Sequence, residues 1–283
     1  MSFAFESVFH DRNAIMRAKN WQELPGKAIC VSADWVATEG DRLRFVDVAE
    51  VVDADIAYLG QYESEHFFAA LYAKLPEEFE PQNVRMTGHL FNELEASLLV
   101  HAVGLAQWHR NHERCAMCGA QTQIANAGHT RSCQNCGSNH FPRTDPAVIV
   151  LITDDEDRAL LGRQPSWPER RYSTLAGFVE PGESLEAAVR REMFEEVGLE
   201  LKDMKYAASQ PWPFPSSLML GFYATAHSTD LKIDEDEIAD ARWFTRDELT
   251  QLTNSGEIII PGPISISRWL IENWNGGELN GTW

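Results

Sequence analysis

Three carboxylates set into the apolar face of one helix constrain this chain more than any other feature. Between Gly177 and Leu199 the sequence runs GFVEPGESLEAAVRREMFEEVGL. Its second half has the spacing of a helix over residues 184–197, and Gly198 suits the stop. At about 100° per residue, Glu192, Glu195 and Glu196 fall in one sector of that helix. Leu185, Ala188 and Val189 occupy the same sector earlier, and Leu199 continues it. Solvated acids belong opposite an apolar stripe, not inside it. Partly buried carboxylates repel one another and lose hydration, so they need compensation. Hard divalent cations such as Mg2+ or Mn2+ take oxygen ligands of this kind. A metal cluster is the inference, with Glu183 and Arg191 paired to brace the loop before the helix. Gly177, Pro181 and Gly182 fit that tight loop. The competing reading is an ordinary amphipathic helix with surplus charge.

The cysteines make a second constraint. Cys115-Ala-Met-Cys118 and Cys133-Gln-Asn-Cys136 are two CxxC pairs with 14 residues between them. Each knuckle can aim two sulfurs at one ion, and together they predict a tetrahedral zinc site. Four thiolates leave no open position, so such a zinc is structural. Two disulfides or a redox pair are the alternatives. Gly119 and Gly137 follow the knuckles, where a positive φ would ease the turn. Cys30 stands apart and reads as a small buried hydrophobe. Five cysteines are too few for a disulfide scaffold at this length, which points to a reducing compartment and hence the cytoplasm.

Charge separates the cysteine segment from the rest. The chain carries a formal −19, with −8 in residues 1–110, −13 in residues 144–283 and +2 in residues 111–143. So negative a field opposes non-specific nucleic-acid binding, and a phosphate-bearing substrate would need cations. His112, Arg114, His129, Arg131, His140 and Arg143 surround the knuckles. They either touch a nucleic-acid backbone or solubilise a small module, and the second reading is preferred.

At about 150 residues per domain, 283 residues suggest two domains with room for a small third. The longest apolar run is seven residues, Phe67–Ala73, against the roughly 20 a membrane helix needs. No basic region followed by an apolar stretch opens the chain, so neither a membrane protein nor a secreted one is expected. Ala28–Val36, Arg42–Val48 and Ala54–Tyr58 read as strands. Residues 89–109 read as a helix with Phe91, Leu94, Leu98, Ala102 and Leu105 on one face. Strands at 147–152, 159–162 and 218–226 interleave with helices at 184–197 and 268–274, the pattern of an α/β domain. The division expected is an N-terminal α+β domain (1–110), a zinc ribbon (111–141) and a catalytic domain (142–283).

The acidic segment matches the Nudix box, G-x5-E-x7-R-E-U-x-E-E-x-G-U. Gly177, Glu183, Arg191, Glu192, Glu195, Glu196 and Gly198 stand at its fixed positions, with Met193 and Leu199 at apolar ones. Ten residues beyond its end lies SQPWPFPSS (Ser209–Ser217), in which prolines alternate with Trp212 and Phe214. Such a segment is stiff and extended; its rings either offer a stacking surface or pack into a core. With the four-cysteine motif ahead of the box, the chain resembles the NADH pyrophosphatase (NudC-type) branch of the Nudix hydrolases over residues 110–283. The resemblance implies an α/β/α sandwich and cleavage of NAD(H) to nicotinamide mononucleotide and AMP. It further implies removal of NAD caps from RNA 5′ ends, two or more catalytic Mg2+ or Mn2+, and a homodimer. It makes Glu192, Glu195, Glu196 and Glu237 metal ligands, one of the box glutamates serving as base, with Glu183 and Arg191 in support. Phe178, Gln210, Trp212, Phe214, Ser217, Ser267 and Phe141 are implied to meet substrate. Phe141 stands where a Tyr is common, so a hydroxyl is missing there. A Nudix enzyme preferring ADP-ribose or another dinucleotide is the nearest rival. A nucleic-acid-binding regulator on this fold would have lost box glutamates that this sequence keeps.

Overall fold

The computed structural model describes Phe5 and residues 9–282. The chain forms two compact units, residues 9–144 with 211–217, and residues 145–210 with 218–282 and Phe5.

The first unit is built on a sheet of seven short strands: β1 (Lys27–Ser32), β2 (Trp35–Glu39), β3 (Arg42–Leu43), β4 (Phe45–Asp47), β5 (Asp55–Tyr62), β6 (Glu65–Leu71) and β7 (Glu80–Asn83). The order is β3-β2-β1-β6-β5, with β4 also on β1 and β7 also on β2. The expected strand at 28–36 is two strands, because the chain turns at Ala33, whose φ is +53°. The apolar run from Phe67 is β6, lying parallel to β1. After the single turn α1 (Val84–Thr87), α2 (Glu93–Asn111) packs on β1, β5 and β6. It begins at Glu93 rather than His89 because Asn92 and Glu95 cap each other's backbone. Cys30 is fully buried, and burial pushes its thiol up to about 11. Three strands, β8 (Thr122–Ala125), β9 (Thr130–Cys133) and β10 (Asn139–His140), form an antiparallel ribbon in the order β10-β9-β8.

The second unit contains β11 (Asp145–Thr153), β12 (Ala159–Arg163), β13 (Leu175–Phe178), α3 (Leu185–Val197), β14 (Leu201–Trp212), β15 (Ser217–Ala226), β16 (Asp240–Phe244), α4 (Arg246–Ser255) and α5 (Ile266–Asn275). Its sheet runs β14-β15-β11-β12-β16, with β13 paired to β11. β11 explains the layering, since a strand sends alternate side chains to opposite faces. Val148, Val150 and Ile152 pack with Ala188, Val189, Met193 and Val197 of α3. Ile149 and Leu151 pack instead with Leu249 of α4 and Ile266, Leu270 and Ile271 of α5. A continuous apolar strand is what a sheet covered on both faces requires, and the unit is an α/β/α sandwich. No helix among the described residues is long and apolar enough to cross a membrane.

Candidate active site and four-cysteine centre

α3 is delimited by its own sequence. Ser184 accepts from the Ala187 N–H at 3.2 Å, and Gly198, at φ +70°, ends the helix by donating to the carbonyls of Met193 and Phe194. Ala188, Val189, Met193 and Val197 anchor one face in the core. Glu192 and Glu196 lie at the margin of that face and are buried, at 9% and 5% exposure. Glu195, at the other edge of the sector, has its side chain 55% exposed.

Arg191 organises the loop ahead of the helix. Its guanidinium grips Glu183 through Nη2–Oε1 at 2.6 Å and Nε–Oε2 at 3.1 Å. Nη2 also donates to the Phe178 carbonyl at 2.9 Å, and Nη1 reaches Glu192 at 2.9 Å and Glu195 at 3.0 Å. The Arg191 pairing holds the Glu183 carboxyl below its ordinary range. Glu183 in turn accepts from the Glu180 N–H at 2.7 Å. Gly177 is required for another reason. A Cβ there would lie 1.9 Å from the Glu192 carboxyl carbon, so only a bare Cα lets that carboxylate pack on β13.

Glu196 has no such compensation: its Oε2 is buried without a hydrogen-bond partner. Burial, and then the charges of Glu192 and Glu237, push its carboxyl up to about 8. Burial also raises Glu192, against the pull of Arg191. Glu237 is exposed, on a turn tied to the end of α3 by an Asp234 N–H bond to the Glu196 carbonyl at 3.0 Å. An orphaned carboxylate oxygen beside other acids calls for a proton or a cation, and an all-oxygen donor set suits Mg2+ or Mn2+. These residues therefore fit the implied ions, with Arg191 already supplying part of the charge compensation.

Phe178 has an exposed ring just inside the box. Gln210 is fully buried, with its amide bonded to the Ile264 carbonyl at 2.7 Å and the Ile266 N–H at 2.9 Å. Ser267 is equally buried, and its hydroxyl meets Ser173 and Thr174. In the first unit, Phe214 is buried with the Arg85 guanidinium 4.7 Å from its ring centre. Trp212 stands edge-on to Phe214 at 5.2 Å and is half-buried, as is Ser217. Phe141 is exposed. Ser173 and Thr174 carry no signal in the sequence, because their partner lies more than ninety residues away.

The four cysteine sulfurs lie within 4.8 Å of one another, the one such ligand cluster among the described residues. Cys115 and Cys136 are 3.6 Å apart, and Cys118 and Cys133 3.5 Å. Sulfurs about 2.3 Å from a common ion would be separated by such distances. Gly119 and Gly137 take φ of +74° and +75°. His140 Nε2 lies 3.2 Å from the Cys115 sulfur. The basic flank is not all surface: Arg131 is buried, bonded to the Thr122 hydroxyl at 2.7 Å and to His109 at 3.1 Å. His129 is buried as well, on the Tyr58 carbonyl at 2.8 Å.

The chain is similar to known proteins. The NUDIX domain family matches residues 143–261. "NAD-capped RNA hydrolase NudC" of Mycobacterium bovis is 40% identical over 248 residues, covering 82% of this chain and 79% of that one. "NAD-capped RNA hydrolase NUDT12" of Homo sapiens is 41% identical over 194 residues, 64% of this chain and 42% of that one. A NUDIX hydrolase structure from Nitrosomonas europaea has a TM-score of 0.46 at 20% identity, over 60% of this chain and 97% of its own. The chain belongs to the NUDIX hydrolase family, in its NudC-type branch.

Proposed function

We propose that the protein is a diphosphatase that splits the pyrophosphate of NAD(H) into nicotinamide mononucleotide, reduced or oxidised, and AMP. By the same chemistry it removes NAD caps from RNA 5′ ends. The observation that carries the reaction is the buried, unpartnered Glu196 oxygen beside Glu192 on α3. The choice of NAD rests on similarity to relatives named as NAD-capped RNA hydrolases.

Glu192, Glu195, Glu196 and Glu237 supply the oxygen ligands. Mg2+ or Mn2+ held there would supply positive charge to the pyrophosphate oxygens and acidify a water, and one of the box glutamates would accept that water's proton. Arg191 and Glu183 hold the loop so that Glu192 keeps its place on Gly177. The exposed Phe178 and Phe141 rings and the half-exposed Trp212 offer faces for nucleobase or nicotinamide stacking. Phe214, buried beneath Arg85, stiffens the segment that carries Trp212 and Ser217. Cys115, Cys118, Cys133 and Cys136 hold one structural zinc per chain, which the sulfur spacing supports. The expected setting is a cytoplasmic homodimer. Rates on NADH, NAD+, ADP-ribose and NAD-capped RNA, each with Mg2+ and with Mn2+, test the proposal. A clear preference for ADP-ribose would overturn it.

A further inference from the structure

In the second unit, two stretches far apart in sequence converge on Ile264–Ser267. At β14, Gln210 donates from Nε2 to the Ile264 carbonyl and accepts at Oε1 from the Ile266 N–H. In the first turn of α5, the Ser267 hydroxyl accepts from the Thr174 hydroxyl at 2.8 Å and from the Thr174 N–H at 3.2 Å. It then donates to Ser173 Oγ, also at 2.8 Å. A hydroxyl has one donor and two acceptor sites, so Ser267 has nothing left to offer a ligand. Ser173, Thr174, Ser267 and Gln210 are all buried, beside the apolar side chains of Ile264 and Ile266. A buried polar network adds little net stability per bond, but it fixes one arrangement, because leaving any member unsatisfied is costly.

What is fixed is the start of β13. Thr174 immediately precedes that strand, and three residues later Gly177 carries the bare Cα on which the Glu192 carboxylate lies. Phe178, the next residue, gives its carbonyl to Arg191. Beyond Thr174, β13 is held by its register on β11, Leu175 opposite Val150 and Phe178 opposite Ala147. A strand that slides or tilts at Thr174 moves the seat of Glu192.

We infer that Thr174 and Ser173, acting through Ser267 and Gln210, are positioning residues that set the placement of β13 beneath Glu192. On this inference the side chains of Ser267 and Gln210 act through that network and not by touching the dinucleotide. The kinetic readout rests on the proposed reaction; the metal readout does not.

Thr174→Val keeps the shape and removes the hydroxyl bond, whereas Thr174→Ser keeps the bond. With NADH and saturating Mn2+, Thr174→Val should lower kcat about 10-fold or more, with KM within about twofold of wild type. Mn2+ affinity, measured by calorimetry without substrate, should fall about 10-fold. Thr174→Ser should restore both. Ser267→Ala should reproduce Thr174→Val, and the double variant should be no worse than either. If Thr174→Val is too unstable to purify, Ser173→Ala, which removes only an acceptor, should show the same pattern more mildly. Unchanged kcat and Mn2+ affinity in Thr174→Val would overturn the inference. So would a Ser267→Ala enzyme with raised KM and intact kcat, the mark of a direct substrate contact. Wild-type protein inert on NADH would count against the proposed substrate, and the Mn2+ measurements would still decide the role of Thr174.

Discussion

Glu196→Gln separates a metal-ligand carboxylate from a structural one. The Glu196 carboxyl, ordinarily near 4.5, is pushed up to about 8 in the folded chain. Between those pH values the folded protein holds a proton that the unfolded chain has released. Stability therefore falls as pH rises through that window, and the full cost is reached above about pH 8. At about 1.36 kcal/mol per pH unit, the ceiling on that cost is about 5 kcal/mol. The amide is neutral throughout, so its own burial cost does not vary with pH. The variant should thus gain on wild type between pH 5.5 and pH 8.5, by a few kcal/mol at most. Each kcal/mol corresponds to about 2–4 °C in Tm for a protein of this size. Urea or thermal unfolding is run without added Mg2+ or Mn2+ and without chelator, so that the zinc is retained. A stability difference that stays flat from pH 5.5 to 8.5 would refute the buried-charge argument. With Mn2+ at about 100 times its Kd, wild type should gain about 2.7 kcal/mol and the variant less. The kcat of the variant should fall about 100-fold or more.

Elemental analysis of protein purified without chelators should find one zinc per chain, and Cys118→Ser should lower stability and solubility more than kcat, because a closed S4 site has no catalytic opening. Gly177→Ala should cut activity and Mn2+ affinity while the fold survives, because the added methyl meets the end of the Glu192 side chain and not backbone; full activity would show that Glu192 does not depend on that seat. Trp212→Ala should raise KM for NADH about 5- to 150-fold, the worth of one stacked ring, with little change in melting. Phe214→Ala should instead cost about 3–5 kcal/mol of stability, because that ring is buried. Melting and kinetics on the same preparations check both, and normal KM in a folded Trp212→Ala protein would defeat the stacking argument.

The features legible in the sequence are those whose geometry is local. Helical spacing places Glu192 and Glu196 beside Ala188 and Val189 within four turns of one helix. A CxxC knuckle determines its own turn, as the positive φ of Gly119 and Gly137 bears out. The unbroken apolar run at 147–152 marks a strand buried on both faces, and β11 is that strand. Which edge of the acidic stripe meets water was not legible: Glu195 is exposed and Glu196 buried, because the packing of α3 on the sheet, not its periodicity, decides where the margin falls. Nor was the inward turn of Arg131 and His129, which composition counts as surface charge; the carbonyl, hydroxyl and ring that receive them are set by the fold of the first unit.

The chemistry of this protein is carried by its order of residues: the carboxylates, the thiolates, and the short stretches that present them at fixed spacing. Tertiary structure alone decided which of those groups are desolvated and what holds them in place. Thr174 meets Ser267 across 93 residues and Gln210 meets Ile266 across 56. Contacts at such separation leave no periodicity to read, because the chain between them is free to take any path that closes the core. The raised Glu196 carboxyl likewise exists only once α3 has docked, since burial, its largest cause, is a property of the packed sheet and not of any one segment.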